Sequence, residues 1–533
     1  MSSIPFRETN YFSSLICDYL EEHTDLKPFY NRYPNLDDFA AQIEEKRHSE
    51  LVSESHRTVL VEVLQKQYED ISTSEVTTKN IELLQQQNTF TITTGHQLNL
   101  FTGPLYFLYK IISTINLCEE LSIKYPAQNF IPIYWMATED HDFEEINYFN
   151  FKEDKIQWNR GFGGAVGELS TEGLEEVFAL FSRKLGPGKN AAYLRSLFEK
   201  AYVKHSNLAD ATRFLANELF GKYGLVVLDA NDSDLKQLFA PYIKQELLQQ
   251  TSFKAVSETI EKFPSDYKVQ VNPREINLFY ITKGVRERIV YENGLYKVNN
   301  TDISWTKEGI LDHLQEASGC FSPNVLLRPL YQEVVLPNLC YIGGGGELAY
   351  WFEMKAMFEA FDVVFPMLLL RNSALVITEA QQKKLSKLNF SISELFFKQT
   401  DLLAKKTKEL SELHIDFSTQ KEFLKEQFAS LYDLAKQTDK SFIGAVAAQE
   451  KKQLKGLANL EKRLLKAEKR KLKEKLNSFS ALQDELFPSQ SLQERNTNFS
   501  ELYLEYGDGL IPMLKKELKP LDGDFTIVSR HFE

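Results

Sequence analysis

The sequence predicts an α/β protein, in which a core of parallel strands alternates with helices, two insertions interrupt the core, and an antiparallel α-helical coiled coil lies near the C-terminal end. Three observations predict this fold. Four short runs are apolar throughout, as strands buried on both faces of a parallel sheet must be. Helical sequence separates these runs. From about Thr378 to Leu486 the chain keeps helical 3-4 spacing of apolar residues without a proline.

The four candidate strands share a feature at their carboxyl ends. They cover residues 89–94, 130–136, 225–228 and 363–370. Polar or charged residues follow each strand: 95–97, 138–142, 229 and 371–373. Because the carboxyl ends of parallel strands meet at one edge of the sheet, where ligands bind in such folds, we expect the active site there.

We divide the chain into four parts. Residues 1–88 read as helices packed on the core, residues 89–376 as the core with insertions at about 150–200 and 265–320, residues 377–487 as the coiled-coil hairpin, and residues 488–533 as a segment that returns to the core. In the second insertion, Lys283-Gly284 and Asn293-Gly294 predict the turns of an antiparallel meander. A break near His414–Ser418 divides the hairpin into two helices, the second roughly 100 Å long at ~1.5 Å per residue.

Composition excludes several classes of protein. The 533-residue chain carries a net charge of −13, which argues against a nucleic-acid partner. It has no apolar run of membrane-spanning length and no secretory start, so we expect no membrane association and a cytoplasmic location. The four cysteines lack CxxC spacing, so neither a zinc motif nor a disulfide framework is predicted.

Positive charge is concentrated in one segment. Residues 451–475 hold eleven lysines and arginines against three glutamates, a local charge of +8. A solvated face of the coiled coil explains this run, and contact with an anion or nucleotide is the alternative.

The loop after the first strand is one candidate site. Its glycines let the backbone approach a ligand, and the helix that starts near Pro104 offers unpaired N–H groups to an anion. We expect His96 to be catalytic by stabilising charge that grows on a phosphate, although a tight turn with a hydrogen-bonded histidine would explain the pattern too. The binding candidates of this loop are Thr94, Gly95, Gln97, Gly103 and Tyr106.

The cluster Glu139-Asp140-His141-Asp142 follows the second strand. Three carboxylates and an imidazole in four residues suit binding of Mg²⁺, binding of a substrate amine, or general base catalysis. Helix N-capping explains one or two of these residues instead. We take Asp140, His141 and Asp142 as catalytic and Glu139 as a binding residue, and we assign no fixed metal ligand.

A run of four glycines, 343–346, precedes Glu347 and a predicted helix. Four consecutive glycines cost backbone entropy, so we expect a ligand to approach the chain closely there. The run is neither a phosphate-binding P-loop nor a dinucleotide fingerprint, and the glycine-rich segments 161–167 and 186–189 fail those spacings too. The remaining binding candidates are Arg328, Gln332, Gly344, Gly345, Glu347, Arg371 and Ser373.

Five motifs, in order along nearly the whole chain, resemble the cysteine ligase family of bacillithiol biosynthesis, BshC. They are TGHQ–LFTGPLY (94–106), PIYWMATEDHDFEEIN (132–147), YGLVVLDAND (223–232), LLRPLYQEVVLPNLCYIGGGGELAYW (326–351) and LQERNTNF (492–499). The resemblance implies a Rossmann-like core of the class I nucleotidyltransferase type, two connective insertions, a C-terminal coiled coil and a homodimer, which we expect the coiled coil to form.

The resemblance also implies a reaction. An ATP-dependent ligase would join cysteine, through its carboxylate, to the amine of glucosaminyl-malate by a carbon–nitrogen bond, the last step of bacillithiol synthesis. ATP or ADP is the implied ligand, and we expect Mg²⁺ to accompany it. The malyl carboxylates need cationic partners, for which Arg328 and Arg371 are candidates.

Two other functions stay open at this point. One is a different adenylyl- or sugar-transferring enzyme of the same fold, because a fold does not fix a function. The other is a non-catalytic assembly protein of the pathway. The polar strand ends argue against the second, since a scaffold has no need of the cluster at 139–142.

Overall fold

The computed structural model of the chain describes residues 2–49, 53–161 and 163–529. These residues form two compact units. The first unit contains the chain up to Leu375 together with Gln493–Val528, and the second contains Val376–Leu492. The sequence analysis placed the corresponding boundaries after residues 376 and 487.

The strands, in chain order, are β1 (Ser2–Pro5), β2 (Thr89–His96), β3 (Asn129–Met136), β4 (Tyr148–Phe151), β5 (Asp154–Gln157), β6 (Val226–Asp229), β7 (Leu278–Thr282), β8 (Val285–Glu292), β9 (Leu295–Val298), β10 (Ser304–Trp305), β11 (Phe321–Pro323), β12 (Asn338–Gly343), β13 (Met367–Leu370), β14 (Ala374–Ile377) and β15 (Asp524–Ser529).

The helices up to the end of β13 are α1 (Phe6–Thr9), α2 (Ser14–Leu20), α3 (Phe39–His48), α4 (Glu54–Gln67), α5 (Glu75–Leu83), α6 (Tyr106–Lys124), α7 (Phe143–Ile146), α8 (Leu174–Leu185), α9 (Lys189–Phe198), α10 (Leu208–Phe220), α11 (Ser233–Gln249), α12 (Thr251–Lys262), α13 (Lys307–Glu316), α14 (Leu327–Val335), α15 (Gly345–Trp351) and α16 (Lys355–Ala360).

The helices of the second unit are α17 (Glu379–Lys387), α18 (Ile392–Leu395), α19 (Gln399–Leu410), α20 (Ser418–Ala435), α21 (Lys440–Lys471) and α22 (Lys473–Leu486). The chain then returns to the first unit through α23 (Gln493–Asn496), α24 (Phe499–Tyr506) and α25 (Leu510–Glu517).

The first unit is built on a five-stranded sheet with the order β13-β12-β2-β3-β6, in which every pair of neighbours is parallel. All eight residues of β2 are buried. A cluster of apolar side chains from α3, α6 and four of the strands covers the sheet, with Phe39, Leu117 and Ile342 among its buried members. The parallel core that the apolar runs predict is therefore confirmed.

One strand differs in its bounds from the sequence-based expectation: the strand expected at 363–370 is limited to Met367–Leu370, after a proline that interrupts the run. The sheet also contains a fifth strand, β12, which begins at Asn338 after a helix that ends at Val335. A proline at 337 lies between the two elements, because proline fits neither the interior of a helix nor a central strand.

The second insertion forms the expected antiparallel meander. Its five-stranded sheet has the order β10-β9-β8-β7-β11. The turn between β8 and β9 has positive φ at both Asn293 (54°) and Gly294 (80°), the conformation for which the Asn-Gly pair is favoured in two-residue hairpins. Within the first insertion, β4 and β5 form a separate two-stranded antiparallel hairpin.

The N-terminal segment is helical as predicted, from α1 to α5. The sequence analysis missed β1, which pairs antiparallel with β15 and sets Ile4 opposite Phe525. Four residues are too few for a period-two pattern to be visible, and the partner strand lies at the other end of the chain.

The second unit contains the expected break near residues 414–418, but a further turn at 436–439 divides the second helix. The single helix of roughly 100 Å is therefore wrong, and α21, with 32 residues, is about 48 Å long. Helices α20 and α21 pack antiparallel through Phe428, Ala435 and Val446. Asp439 caps α21 by accepting from the N–H of Ser441, which explains the turn.

The basic run lies on α21 and the start of α22, with Lys462, Arg463 and Lys466 exposed. This exposure agrees with a solvated face. Across the described part of the chain, no helix has both the length and the apolar run that a membrane span requires.

Candidate active site

A cavity of about 830 Å³ lies at the carboxyl edge of the parallel sheet, inside the first unit. The loops after β2, β3 and β12 and the residue after β13 contribute to its wall, so the parallel register brings the polar strand ends together. Of the residues proposed from the sequence, those that line the cavity are Gly95, His96, Gln97, Tyr106, Glu139, Asp140, Arg328, Gly344, Gly345, Glu347 and Arg371.

His96 is the last residue of β2 and is 7% exposed. Its Nδ1–H donates to the backbone oxygen of Gln97 over 2.7 Å, so Nε2 is the unprotonated nitrogen of the neutral ring. Burial, and then the nearby Lys110 ammonium, lower the pKa of His96 to about 3. Nε2 is buried and has no partner among the described residues. It can therefore only accept a hydrogen bond, which differs from the expected role of a donor to phosphate.

The ring of Tyr106 joins His96 to an arginine. Its centroid lies 5.4 Å from that of His96 and 5.2 Å from the guanidinium carbon of Arg371. Arg371 is 4% exposed and pairs with the buried carboxylate of Glu494 over 2.7 Å. Its Nε is buried without a partner in the described ranges, which leaves one N–H of this cation available to a ligand.

Arg328 is the second arginine of the wall. Its Nη1 donates to Oε1 of Gln332 over 3.1 Å, and the guanidinium lies 5.7 Å from the centroid of Tyr341. Nη2 is buried and has no hydrogen bond of ordinary geometry within the described residues, although the hydroxyl of Tyr350 also interacts with this guanidinium. A Cβ added to Gly95 would lie 3.6 Å from Nη1 of Arg328 and 3.0 Å from the Tyr341 hydroxyl, so a side chain there would push against both residues.

Lys110 and Glu347 form an ion pair of 2.5 Å in the wall. Lys110 also donates to the backbone oxygen of Gly95 over 2.7 Å, and Glu347 accepts from the N–H of Gly344 over 2.6 Å and from the hydroxyl of Tyr341 over 2.8 Å. Burial alone would raise the pKa of the Glu347 carboxyl, but the Lys110 ammonium and the Gly344 N–H hold this pKa below its ordinary value. The pair ties the glycine loop to the end of β2.

Two carboxylates share one amide on the opposite wall. Nε2 of Gln97 donates to Asp140 Oδ2 over 2.9 Å and to Glu145 Oε2 over 2.8 Å. Glu139 is held apart from them by Lys236, at 2.6 Å. The arginines and these carboxylates therefore give the cavity both positive and negative groups.

His141 and Asp142 are not among the residues that line the cavity, although both are described. The side chain of His141 is 56% exposed, and its Nδ1 lies 2.8 Å from Nη1 of Arg286. Asp142 is exposed and precedes α7 without capping it through its side chain. Both histidines were expected at the active site, but only His96 lines the cavity, and the side chain of His141 is largely exposed.

Four further candidates are buried behind the wall. Thr94 donates to the oxygen of Ile342 over 2.7 Å, and Ser373 donates to Glu494 over 3.1 Å. Gly103 has a φ of 61° and stands where a Cβ would lie 2.8 Å from that of Asn99. Gln332 is fully buried. These residues shape the site without lining it.

The sequence analysis missed several lining residues and one supporting residue: Lys110, Glu145, Arg286, Tyr341, Tyr350, Arg495 and, behind Arg371, Glu494. A signal was present for Lys110, which is a lone cation in the first turns of an otherwise apolar helix. Glu494 and Arg495 lie in the motif LQERNTNF, which was recognised in the sequence, but the motif gave no indication that these two residues belong to the site.

No group of three or more His, Cys, Asp or Glu side chains within the described ranges is placed to hold a metal ion.

The parallel sheet, its covering helices and the charged cavity at its carboxyl edge define an α/β enzyme. A family model described as "Bacillithiol biosynthesis BshC, N-terminal Rossmann-like domain" matches residues 1–372, and its companion, the "C-terminal coiled-coil domain", matches residues 374–530. The chain therefore belongs to the BshC family of bacillithiol biosynthesis.

Close relatives support this membership over the full length. Each is named "Putative cysteine ligase BshC". The relative from Flavobacterium psychrophilum is 59% identical over 98% of both chains, and that from Flavobacterium johnsoniae is 59% identical over 99% of both. The relative from Christiangramia forsetii is 58% identical over 99% of this chain and 98% of its own. The protein is accordingly an enzyme of the ligase class.

Proposed function

We propose that the protein uses ATP to join the carboxylate of cysteine to the amine of glucosaminyl-malate, forming the amide that completes bacillithiol. The names of the relatives supply the substrate class. The observation that carries the proposal is a set of buried atoms on cavity residues that have no hydrogen-bond partner in the described part of the chain: Nη2 of Arg328, Nε of Arg371 and Nε2 of His96. A buried polar atom without a partner costs about 1–3 kcal/mol, so a ligand that pairs all three gains affinity.

The two arginines suit anionic substrates. Each has a fixed guanidinium with an N–H left over, and N–H bonds from a cation to a carboxylate or phosphate are about twice as strong as neutral ones. Both glucosaminyl-malate and an activated carboxylate bring such oxygens to the cavity. Arg328 and Arg371 lie on different wall segments, after β11 and β13, so they can hold two anionic groups.

The remaining groups suit the amine. An amine must lose its proton to attack a carbonyl carbon, and the carboxylates of Asp140 and Glu145 are acceptors in the same cavity. His96 is too weak a base to take that proton at neutral pH, because its pKa lies at about 3. It is suited to accept a hydrogen bond from a neutral N–H and so to orient the nucleophile.

A carboxylate does not acylate an amine unaided, so it must be activated. ATP, when bound, supplies the phosphoryl or adenylyl group that makes the carboxyl oxygen a leaving group. The unpaired arginine N–H groups fit its phosphates. We expect Mg²⁺ to enter with the nucleotide, since this ion is usually held by one or two carboxylates and substrate phosphates. Asp140 and Glu145 are the residues that would contact it.

We further propose that the protein acts in the cytoplasm as a homodimer formed by the second unit. Helix α20 exposes three large apolar side chains at positions 423, 431 and 434, with Phe423 61% exposed. The spacing of eight and three residues puts them on one face of the helix. Contiguous exposed apolar surface of this kind is typical of a contact between proteins.

The test is incubation of the purified protein with ATP, Mg²⁺, cysteine and glucosaminyl-malate, followed by mass spectrometry of the product. We expect the amide, with ATP consumption that requires cysteine. Arg371→Gln should abolish product formation, whereas Asp142→Asn, outside the cavity, should not. ATP consumption that is independent of cysteine would contradict the proposal and favour another adenylyl-transferring reaction.

A further inference from the structure

A chain of buried hydrogen bonds runs from the N-terminal segment to an arginine of the cavity. Lys46, near the end of α3, contacts Oε2 of Glu333 at 3.3 Å, and both side chains are fully buried. Oε1 of Glu333 accepts from Nε2 of Gln332 over 3.0 Å. Oε1 of Gln332 in turn accepts from Nη1 of Arg328 over 3.1 Å.

The charge of Glu333 determines which groups act as donors and which as acceptors in this chain of hydrogen bonds. Glu333 receives donors only: Nζ of Lys46, Nε2 of Gln332 and, over 2.7 Å, Nδ2 of Asn338. Only an ionised carboxylate accepts at every contact, since a protonated one must also donate. An ionised Glu333 on one side and the donor-only guanidinium of Arg328 on the other both require Gln332 to turn its NH₂ group toward Glu333. The amide oxygen of Gln332 is then the group that faces Arg328.

Lys46 maintains this ionisation. Burial raises the pKa of Glu333 and lowers that of Lys46, so each group depends on the other to remain charged. Without the ammonium, a fully buried Glu333 would be protonated and would gain an O–H donor. Gln332 could then reverse its amide and present N–H groups to the guanidinium of Arg328, which has no acceptor to offer.

We infer that Lys46, Glu333 and Gln332 act as positioning residues for Arg328, so that a helix of the N-terminal segment controls how the cavity binds its anionic substrate. None of the three lines the cavity. Gln332 is the member of the three that contacts the cavity residue Arg328. The inference rests on the proposed function for the identity of that ligand, glucosaminyl-malate, but the geometry of the chain is independent of it.

The experiment compares two variants that interrupt the chain with one that does not. Lys46→Met removes the first donor of the hydrogen-bond chain, and Gln332→Leu removes the amide that links Glu333 to Arg328. Arg57→Met is the matched control, because Arg57 is also a buried cation of the N-terminal segment. Its guanidinium donates to the backbone oxygens of Leu84 and of Thr89, the residue at which β2 begins and the end of that strand remote from the cavity. Thermal denaturation measures the stability of each variant, and titration calorimetry measures its affinity for glucosaminyl-malate.

We expect all three variants to lose stability, but only Lys46→Met and Gln332→Leu to weaken binding, by about tenfold, the equivalent of ~1.4 kcal/mol. In an Arg328→Gln background the same two changes should weaken binding less than about twofold, since coupled residues are not additive. Undiminished affinity of folded Lys46→Met, an equal loss in Arg57→Met, or an equal loss in the Arg328→Gln background would each overturn the inference.

A crystal structure of Gln332→Leu separates this inference from the proposed function. If the wild-type protein does not bind glucosaminyl-malate, the proposed function fails and the position of Arg328 decides the inference alone. A guanidinium displaced from the ring of Tyr341 supports it. A guanidinium in the wild-type position overturns it, and shows that the buried pair only stabilises the fold.

Discussion

Nδ1–H of His96 donates to the carbonyl oxygen of Gln97, which fixes Nε2 as the unprotonated nitrogen of the neutral ring. Because the pKa of His96 is lowered to about 3 from an ordinary 6.5, the unfolded chain binds a proton there at a pH where the folded protein does not. The contribution of the neutral His96 to the free energy of unfolding is thus fully present above pH 6.5 and is lost as the pH falls toward 3. We expect this residue to contribute a slope of up to about 1.4 kcal/mol per pH unit in that window.

His96→Asn should remove that part of the pH dependence, as measured by urea unfolding at several pH values between 7 and 4. His48→Asn is the matched control, because His48 is an exposed histidine of the same unit. It should keep the wild-type profile. Parallel profiles for wild type and His96→Asn would show that the pKa of His96 is the same in the folded and the unfolded chain.

The acidic cluster provides a second prediction. Asp140→Asn should reduce turnover on the order of 10²-fold, the lower end of the range for a general base, since Asp140 lines the cavity. Asp142→Asn should stay within about twofold of wild type, because Asp142 is exposed outside it. Steady-state rates of amide formation measure both. Equal losses in the two variants would mean that the exposed end of the cluster takes part in the reaction.

The ion pair between Arg371 and Glu494 provides a third prediction. Glu494 also accepts from the hydroxyl of Ser373 and the N–H of Ala374, so Glu494→Ala leaves one buried cation and two donors without a partner. We expect a loss of about 3–5 kcal/mol in the free energy of unfolding of the first unit. Glu119→Ala breaks a surface pair with Lys515 and should cost at most about 1 kcal/mol. Similar losses for the two variants would contradict the argument.

The fourth prediction concerns assembly. Leu431→Lys with Leu434→Lys places two charges on the exposed apolar face of α20. If the second unit forms the dimer, sedimentation equilibrium should show a monomer for this variant and a dimer for wild type. The two positions are already partly exposed, so we expect thermal stability of the monomer to change little. A variant that remains a dimer would place the contact elsewhere.

The sequence could predict the sheet and the edge at which its polar strand ends meet because both depend on local patterns. Strands buried on two faces must be apolar throughout, and β2 and β3 are read directly from such runs. The parallel connection then brings His96 and Asp140 to the same edge. What lies beyond a strand end depends on the path of the loop, which local pattern does not determine. For that reason His141 and Asp142, only one and two residues further on, were assigned to a cavity that they do not line.

Site residues on helices and in distant segments could not be predicted from the sequence for a different reason. Helix α6 is buried on all sides from Phe107 to Cys118, so periodicity cannot show which of these residues faces a cavity, and Lys110 was passed over. The turn between α20 and α21 contains an Asp cap that the apolar spacing of the coiled coil obscured. Arg371 and Glu494 are 123 positions apart, and no pattern in a single sequence joins them.

The separation of Arg371 from Glu494 affects how the protein is made. A ribosome adds roughly 5–20 residues per second, so the 123 residues between them take on the order of 6–25 s to synthesise. During that time β13 can join the sheet, but Arg371 has neither its carboxylate partner nor Arg495 beside it. The nascent enzyme therefore completes this cavity only after the entire second unit has left the ribosome. A chain truncated within that unit would carry an assembled sheet with no finished site.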